Sequence, residues 1–138
     1  MIEGINHIAI AVSDIERAIE LFAGVFGLEV AHREYIESFG VETATFRIGG
    51  TEIELVEGKT DESAIRKYVD KNGPGIHHIA FEVGDIEKAV DTLTANSVRM
   101  IDETPRPGKE GSRVSFIHPS ATMGILFELV ERATRDRS

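Results

Sequence analysis

Asn6-His7-Ile8-Ala9-Ile10-Ala11-Val12-Ser13-Asp14-Ile15-Glu16 returns as His77-His78-Ile79-Ala80-Phe81-Glu82-Val83-Gly84-Asp85-Ile86-Glu87. The second copy lies 71 residues after the first, from 7 to 78. Further along, Ile53-Glu54-Leu55-Val56-Glu57 returns as Phe127-Glu128-Leu129-Val130-Glu131, 74 residues on, from 54 to 128. A duplicated module folds into two similar halves, usually related by a pseudo-two-fold axis, and paired residues can then converge on one point. Each copy brings one histidine and one glutamate. Two imidazoles and two carboxylates are the inventory of a divalent metal site.

Strand parity says where these groups point, because successive side chains alternate faces. His7, Ala9 and Ala11 share one face, and Ile8, Ile10 and Val12 the other. His78, Ala80 and Glu82 oppose Ile79, Phe81 and Val83. Glu54 opposes Ile53 and Leu55, and Glu128 opposes Phe127 and Leu129. In all four segments the apolar face can pack on a helix, and the opposite face carries the histidine or glutamate. The expectation is a curved sheet with a partly polar concave side.

The flanking pattern supplies the other elements. Gly4 to Val12 reads as a strand, and Ser13 or Asp14 caps a helix whose apolar face is Ile15, Ala18, Ile19 and Phe22. Gly24 and Gly27 break that helix. Strands follow over Leu28 to Ile36, Thr43 to Ile48 and Thr51 to Val56, with Gly49-Gly50 as a hairpin turn. A helix over Ser63 to Asn72 ends at Asn72-Gly73-Pro74-Gly75. The second half predicts a strand over Ile76 to Val83 and a helix from Gly84 or Asp85 to about Asn96. Three more strands are predicted, over Val98 to Ile101, Arg113 to Ile117 and Gly124 to Leu129. Both halves read βαβββ. The fold class is therefore α+β: one domain over 1–138, with module one at about 4–58 and module two at about 75–131. The segment from Pro105 to Ser112 reads as a long loop of the kind that often covers a site, and Ala133 to Ser138 as a frayed tail.

Bulk properties exclude several function classes. Apolar residues are 41% and charged residues 28%, which is ordinary globular composition rather than disorder. The net charge of −9 argues against nucleic acid, which needs a basic surface. No apolar run approaches the ~18 residues of a membrane span, and Met1-Ile2-Glu3-Gly4 lacks signal-peptide character. Cysteine is absent, so disulfides, thiolate ligands and a cysteine nucleophile are excluded, in keeping with a cytoplasmic protein.

Imidazole and carboxylate suit Co²⁺, Mn²⁺, Ni²⁺, Fe²⁺ or Zn²⁺, and the residues alone do not choose among them. Four protein ligands leave two octahedral positions for a substrate bound through two oxygens, which suits Lewis-acid chemistry on a carbon acid. His77 faces the helix side and pairs with Asn6 of the first copy, so it reads as structural. His32 and His118 have no repeat partner, and His118-Pro119-Ser120 at a strand end is open to a substrate or support role.

At these residues the chain resembles the vicinal oxygen chelate superfamily and, within it, the methylmalonyl-CoA epimerase family. The likeness runs from Ile5 to about Glu131. It is most specific in Asp61-Glu62-Ser63-Ala64-Ile65, in Gly75 to Val83, in Ser115-Phe116-Ile117-His118-Pro119 and in Gly124-Ile125-Leu126-Phe127-Glu128-Leu129. It implies paired modules cupped around a metal, with Co²⁺ foremost. It gives His7, His78 and Glu128 as ligands and the Glu54 position as the fourth. Many family members carry Gln there; Glu54 adds a negative charge and makes the metal less electrophilic. The implied reaction inverts C2 of methylmalonyl-CoA through an enolate, with one acid/base group on each face of the carbon. Glu128 matches one of them. The family's Gly-Val-x-Glu element corresponds to Gly40-Val41-Glu42-Thr43, and Glu42 is taken as the second group. Ungapped matching from Gly49-Gly50 places Thr43 at the position and Glu42 one residue early. A one-residue shift reverses the face, and a bulge near Gly40 would restore it. The other reading of Glu42 is a solvated edge glutamate.

An acyl-CoA substrate would meet Lys109, Arg106 and Arg113, or Lys67 and Lys71, through its phosphates. Homodimerisation is implied by the resemblance. The alternatives are a glyoxalase-like lyase or isomerase acting on a thiol adduct, an Fe²⁺ dioxygenase, and a non-catalytic small-molecule-binding relative.

Overall fold

Ile10 and Val12 alternate with Ala9 and Ala11 along β1 (Ile2–Val12), and one of the two faces so created is taken by a helix. A computed structural model describes residues 1–133. The chain divides into two compact units, His7–His77 and Met1–Asn6 together with His78 onward.

The first of these units holds α1 (Ile15–Ile19), β2 (Val30–Ile36), β3 (Val41–Ile48), β4 (Thr51–Gly58) and α2 (Ala64–Asn72). Its strand order is β2-β3-β4-β1, with β1 and β4 parallel and the other pairs antiparallel. Two carboxylates start α1. Asp14 accepts from the Arg17 N–H at 3.3 Å, and Glu57 at the end of β4 accepts from the Ile15 N–H at 2.8 Å. Ile15, Ala44, Phe46 and Leu55 are fully buried beneath the helix. The regular helix expected to run to Gly24 instead widens into a π-helix over Glu20–Val25, with Phe26 N–H bonding to Leu21 O at 2.9 Å. Phe22 then lies against both Phe26 and Phe46, at ring separations of 5.3 and 5.4 Å. Gly27, at φ +74°, turns the chain out of the helix.

The second unit contains β5 (Gly75–Val83) from His78 on, α3 (Ile86–Ala95), β6 (Arg106–Pro107), β7 (Arg113–Ile117) and β8 (Phe127–Glu131). Its order is β5-β8-β7-β6, with β5 and β8 parallel and the others antiparallel. Asp85 caps α3 through the Lys88 N–H at 3.1 Å, and Glu131 accepts from the Ile86 N–H at 2.9 Å. The pairing of Glu57 with Ile15 is thus repeated. Val83, Ile86, Ala89, Val90, Ile117 and Leu129 form the core on the α3 side.

Eight strands in parallel and antiparallel pairs, with three α-helices in the order βαβββ-α-βαβββ, give the expected α+β class. One strand is displaced from its predicted place. Val98 to Ile101 forms only the single bridge between Met100 and Ile117. The ladder stops there because Phe116 O accepts from both Ile101 and Asp102 N–H, at 2.8 and 3.2 Å, while the Asp102 carboxylate takes the Phe116 N–H at 2.9 Å. A side chain replaces the backbone acceptor. β7 pairs instead with Arg106–Pro107, inside the segment read as a loop, where proline is tolerated on an edge strand. The tail expected to fray lies, apart from Ala133, outside the described residues. Among those residues no helix is long and apolar enough to cross a membrane.

The two strand-end carboxylates act as helix anchors. Glu57→Ala and Glu131→Ala are each expected to lower stability by about 1–2 kcal/mol, the range of a lost helix cap. Urea denaturation followed by circular dichroism checks this.

Candidate metal centre

Strand alternation and register build the site. On β5, His78 shares a face with Ala80 and Glu82. Ala80 pairs across to Glu128 on β8, and Glu128 pairs across to Phe116 on β7. His78 Nε2 lies 3.5 Å from Glu128 Oε1. The Phe116 ring meets the His78 ring edge-on at 5.6 Å. Arg106 sits over Phe116 at 5.5 Å, and its Nε is 3.3 Å from Asp102. Ala80, Val114 and Val130 form the apolar floor of this face. The first module repeats the arrangement in register: Ala9 pairs across to Glu54 as Ala80 does to Glu128.

Among the described residues, His7, His78 and Glu128 form a group whose ligand atoms all lie within 4.8 Å of one another. Glu128 is only 6% exposed. Burying a carboxylate costs several kcal/mol unless a cation compensates it. Two imidazoles and one buried carboxylate fit a divalent ion of the borderline type.

The other predicted residues divide into two groups. Glu54 stands half-buried on β4, on the face opposite Leu55 and outside the three-residue group. Glu42 shares its side of β3 with the buried Ala44 and Phe46, because β3 and β4 pair from Val41 to Ile48 without a register shift. It is therefore on the α1 side, and the bulge that would have turned it is not there. Arg33 contacts it through Nε at 2.7 Å and through Nη2, and also reaches Glu16. Lys59 lies 3.0 Å from Glu57 and 3.7 Å from Glu42. These carboxylates hold the Arg33 and Lys59 pKa values above their ordinary range, with Glu16 the main cause for Arg33 and Glu57 for Lys59.

His77 packs edge-on against Tyr68 at 5.0 Å, and burial pushes its pKa down, which favours the neutral ring. The Ser120 N–H donates to His118 Nδ1 at 3.0 Å, so this histidine caps the turn after β7. His32 Nε2 is 3.3 Å from Glu34. Of the basic candidates, Arg106 is on the Glu128 face, Arg113 is bound to Glu87 at 2.8 Å on the α3 side, and Lys67, Lys71 and Lys109 are exposed. Sequence reading missed the Phe116–Arg106–Asp102 assembly. Its signal was the i,i+4 spacing of Asp102 and Arg106. The repeat of Glu57 as Glu131 likewise signalled the helix anchors.

Residues 6–116 match the Glyoxalase/Bleomycin resistance protein/Dioxygenase superfamily. The mitochondrial methylmalonyl-CoA epimerase of Dictyostelium discoideum is 41% identical over 93% of this chain and 78% of its own length. The chain belongs to the methylmalonyl-CoA epimerase family of that superfamily. Another relative, the ethylmalonyl-CoA/methylmalonyl-CoA epimerase of Cereibacter sphaeroides, is 37% identical, with 94% of this chain and 98% of that protein covered. Among solved structures, a variant of the Streptomyces coelicolor methylmalonyl-CoA epimerase in complex with 2-nitronate-propionyl-CoA superposes with a TM-score of 0.87. It is 36% identical over 97% of each chain. The epimerase family thus spans both modules of the chain, including His7, His78 and Glu128.

Metal binding should stabilise the fold. Co²⁺ added to chelator-treated protein at a hundred times its Kd is expected to add about 2.7 kcal/mol. Thermal melts should show an upward shift for the parent chain and none for His78→Ala.

Proposed function

We propose that this chain is an isomerase that interconverts (R)- and (S)-methylmalonyl-CoA by moving the proton on C2. The observation that carries this reading is the His7/His78/Glu128 group, in a chain that matches named epimerases along nearly its whole length.

A divalent cation held by His7, His78 and Glu128, with Glu54 as a fourth ligand, would supply Lewis-acid stabilisation of negative charge on the substrate oxygens. Co²⁺ is the first metal to test, ahead of Mn²⁺, Ni²⁺, Zn²⁺ and Fe²⁺. The protein's own groups do the rest. Glu128 takes the C2 proton onto a carboxylate oxygen as the C–H bond breaks and its electron pair moves to the thioester oxygen, and a second acid must return a proton to the opposite face of C2 to complete the inversion. Ala80, Val114, Val130 and Phe116 give that carboxylate apolar surroundings, while the proton it has taken up exchanges with solvent between turnovers. Arg106, held by Asp102 over Phe116, offers a planar cation to an anionic group of the acyl-CoA. Glu42 can act as the second acid/base group only if β3 slips by one residue. Its contacts with Arg33 and Lys59 support an anchoring role instead. The Cereibacter relative is named for two acyl chains, so ethylmalonyl-CoA is the second substrate to try. We take 1–138 as one functional domain, acting as a homodimer in the cytoplasm. Size-exclusion chromatography with light scattering tests the dimer.

Proton NMR of methylmalonyl-CoA in D₂O tests the reaction. The C2 proton signal should disappear with the cobalt-loaded protein and persist after EDTA. Glu128→Gln should slow exchange by at least about 10²-fold, the low end of a lost general base. Glu42→Gln should leave it within about threefold of the parent, the scatter expected of an exposed ion-pair change. Loss of metal from the chain with exchange intact would overturn the reading. So would absence of exchange with metal bound, which would move the function to another reaction of the superfamily.

A further inference from the structure

Thr43 and Thr45 are 3% and 4% exposed, and neither hydroxyl makes a hydrogen bond in the structure. Buried hydroxyls are normally satisfied, so two on one strand call for an explanation. Both lie on the face of β3 opposite the buried Ala44 and Phe46. That is the face of Glu54. Thr45 pairs directly across to Glu54 on β4, where facing Cβ atoms are about 4.5–5.5 Å apart. On its other flank Thr45 faces His32, which is already paired with Glu34 at 3.3 Å. Thr43 faces Val56 and Glu34 and has no such direct route to Glu54.

A carboxylate that gives one oxygen to a metal keeps a second oxygen that can only accept, and a hydroxyl is a matching donor. Ligating carboxylates are regularly oriented by such donors. We propose that Thr45 is a positioning residue for the metal centre: its hydroxyl donates to the Glu54 carboxylate and holds it in the orientation that binds the ion. This rests on the metal role proposed above for Glu54. The side chain touches neither substrate nor ion and acts only through Glu54.

The experiment is a Co²⁺ titration of the chelator-treated full chain, by calorimetry, for the parent, Thr45→Val, Thr45→Ser, Glu54→Ala and Glu54→Ala with Thr45→Val. Thr45→Val, which keeps shape and removes the hydroxyl, is expected to bind Co²⁺ at least about tenfold more weakly, and Thr45→Ser within about threefold of the parent. In the Glu54→Ala background the Thr45→Val change should have no further effect. The metal-free Thr45→Val protein should melt no lower than the parent, since a buried hydroxyl without a partner has been removed. Parent-like Co²⁺ affinity in Thr45→Val overturns the inference, as does an equal loss with and without Glu54. Parent-like affinity in Glu54→Ala overturns it too, while leaving His7, His78 and Glu128 as the metal ligands. A parent chain that binds no cation defeats both this inference and the function proposed above.

Discussion

A strand has two faces, and in each module of this chain a helix covers one of them. Everything at the candidate site follows from that constraint. Ile10, Val12, Ala44, Phe46 and Leu55 are committed to α1, so Ala9, Thr43, Thr45 and Glu54 are left on the other face. Val83, Ile86, Ile117 and Leu129 are committed to α3, so His78, Ala80, Phe116 and Glu128 are left likewise. The Glu57 and Glu131 carboxylates fix the first residue of each helix, and so fix which side chains the helix covers. A polar face is built without any loop having to carry the ligands. Strands place ligands with less freedom than loops do, which suits a metal centre.

Electrostatics then sort the carboxylates of the chain. Those on the helix side have found cations: Glu42 and Glu16 meet Arg33, Glu57 meets Lys59, and Glu87 and Glu131 meet Arg113. On the other face, Glu82 is matched by Arg132 at 2.7 Å and by Asn6 at 3.2 Å. Glu128 is the most buried of these acids, and its near neighbour is an imidazole. Grouped with His7 and His78, that buried carboxylate completes a donor set suited to a dication.

The module order, the cap residues and the facing of His7, His78 and Glu128 were legible in the sequence, because repetition and period-two alternation are backbone properties. The repeat and its parity put Glu128 on the face opposite Phe127 and Leu129, and its register opposite Ala80 agrees. What was not legible came from side chains that act as backbone. Asp102 takes the N–H that a neighbouring strand would have taken, so Val98 to Ile101 forms a single bridge and Arg106–Pro107 pairs in its place. The π-helix over Glu20–Val25 was equally hidden, since it reflects how Phe22 meets Phe46 rather than any local propensity. Glu42 shows the limit from the other direction. Identity and neighbourhood in sequence made it a candidate, but one residue of register decides its face.

Duplication makes Glu54 and Glu128 equivalent in position, and their cross-strand neighbours make them different in chemistry. Glu128 faces Phe116, an aromatic wall that carries Arg106. Glu54 faces Thr45, a hydroxyl. An apolar wall suits a group that must take up a proton from carbon, because few waters compete for the carboxylate. A hydroxyl wall suits a group that must stay ionised and fixed, because the hydrogen bond favours the charged form and one orientation. Under the roles proposed above, Glu128 acts as base as well as ligand and Glu54 as ligand only, a division that would be set by a single neighbouring residue each. That division requires no change in the backbone of either module.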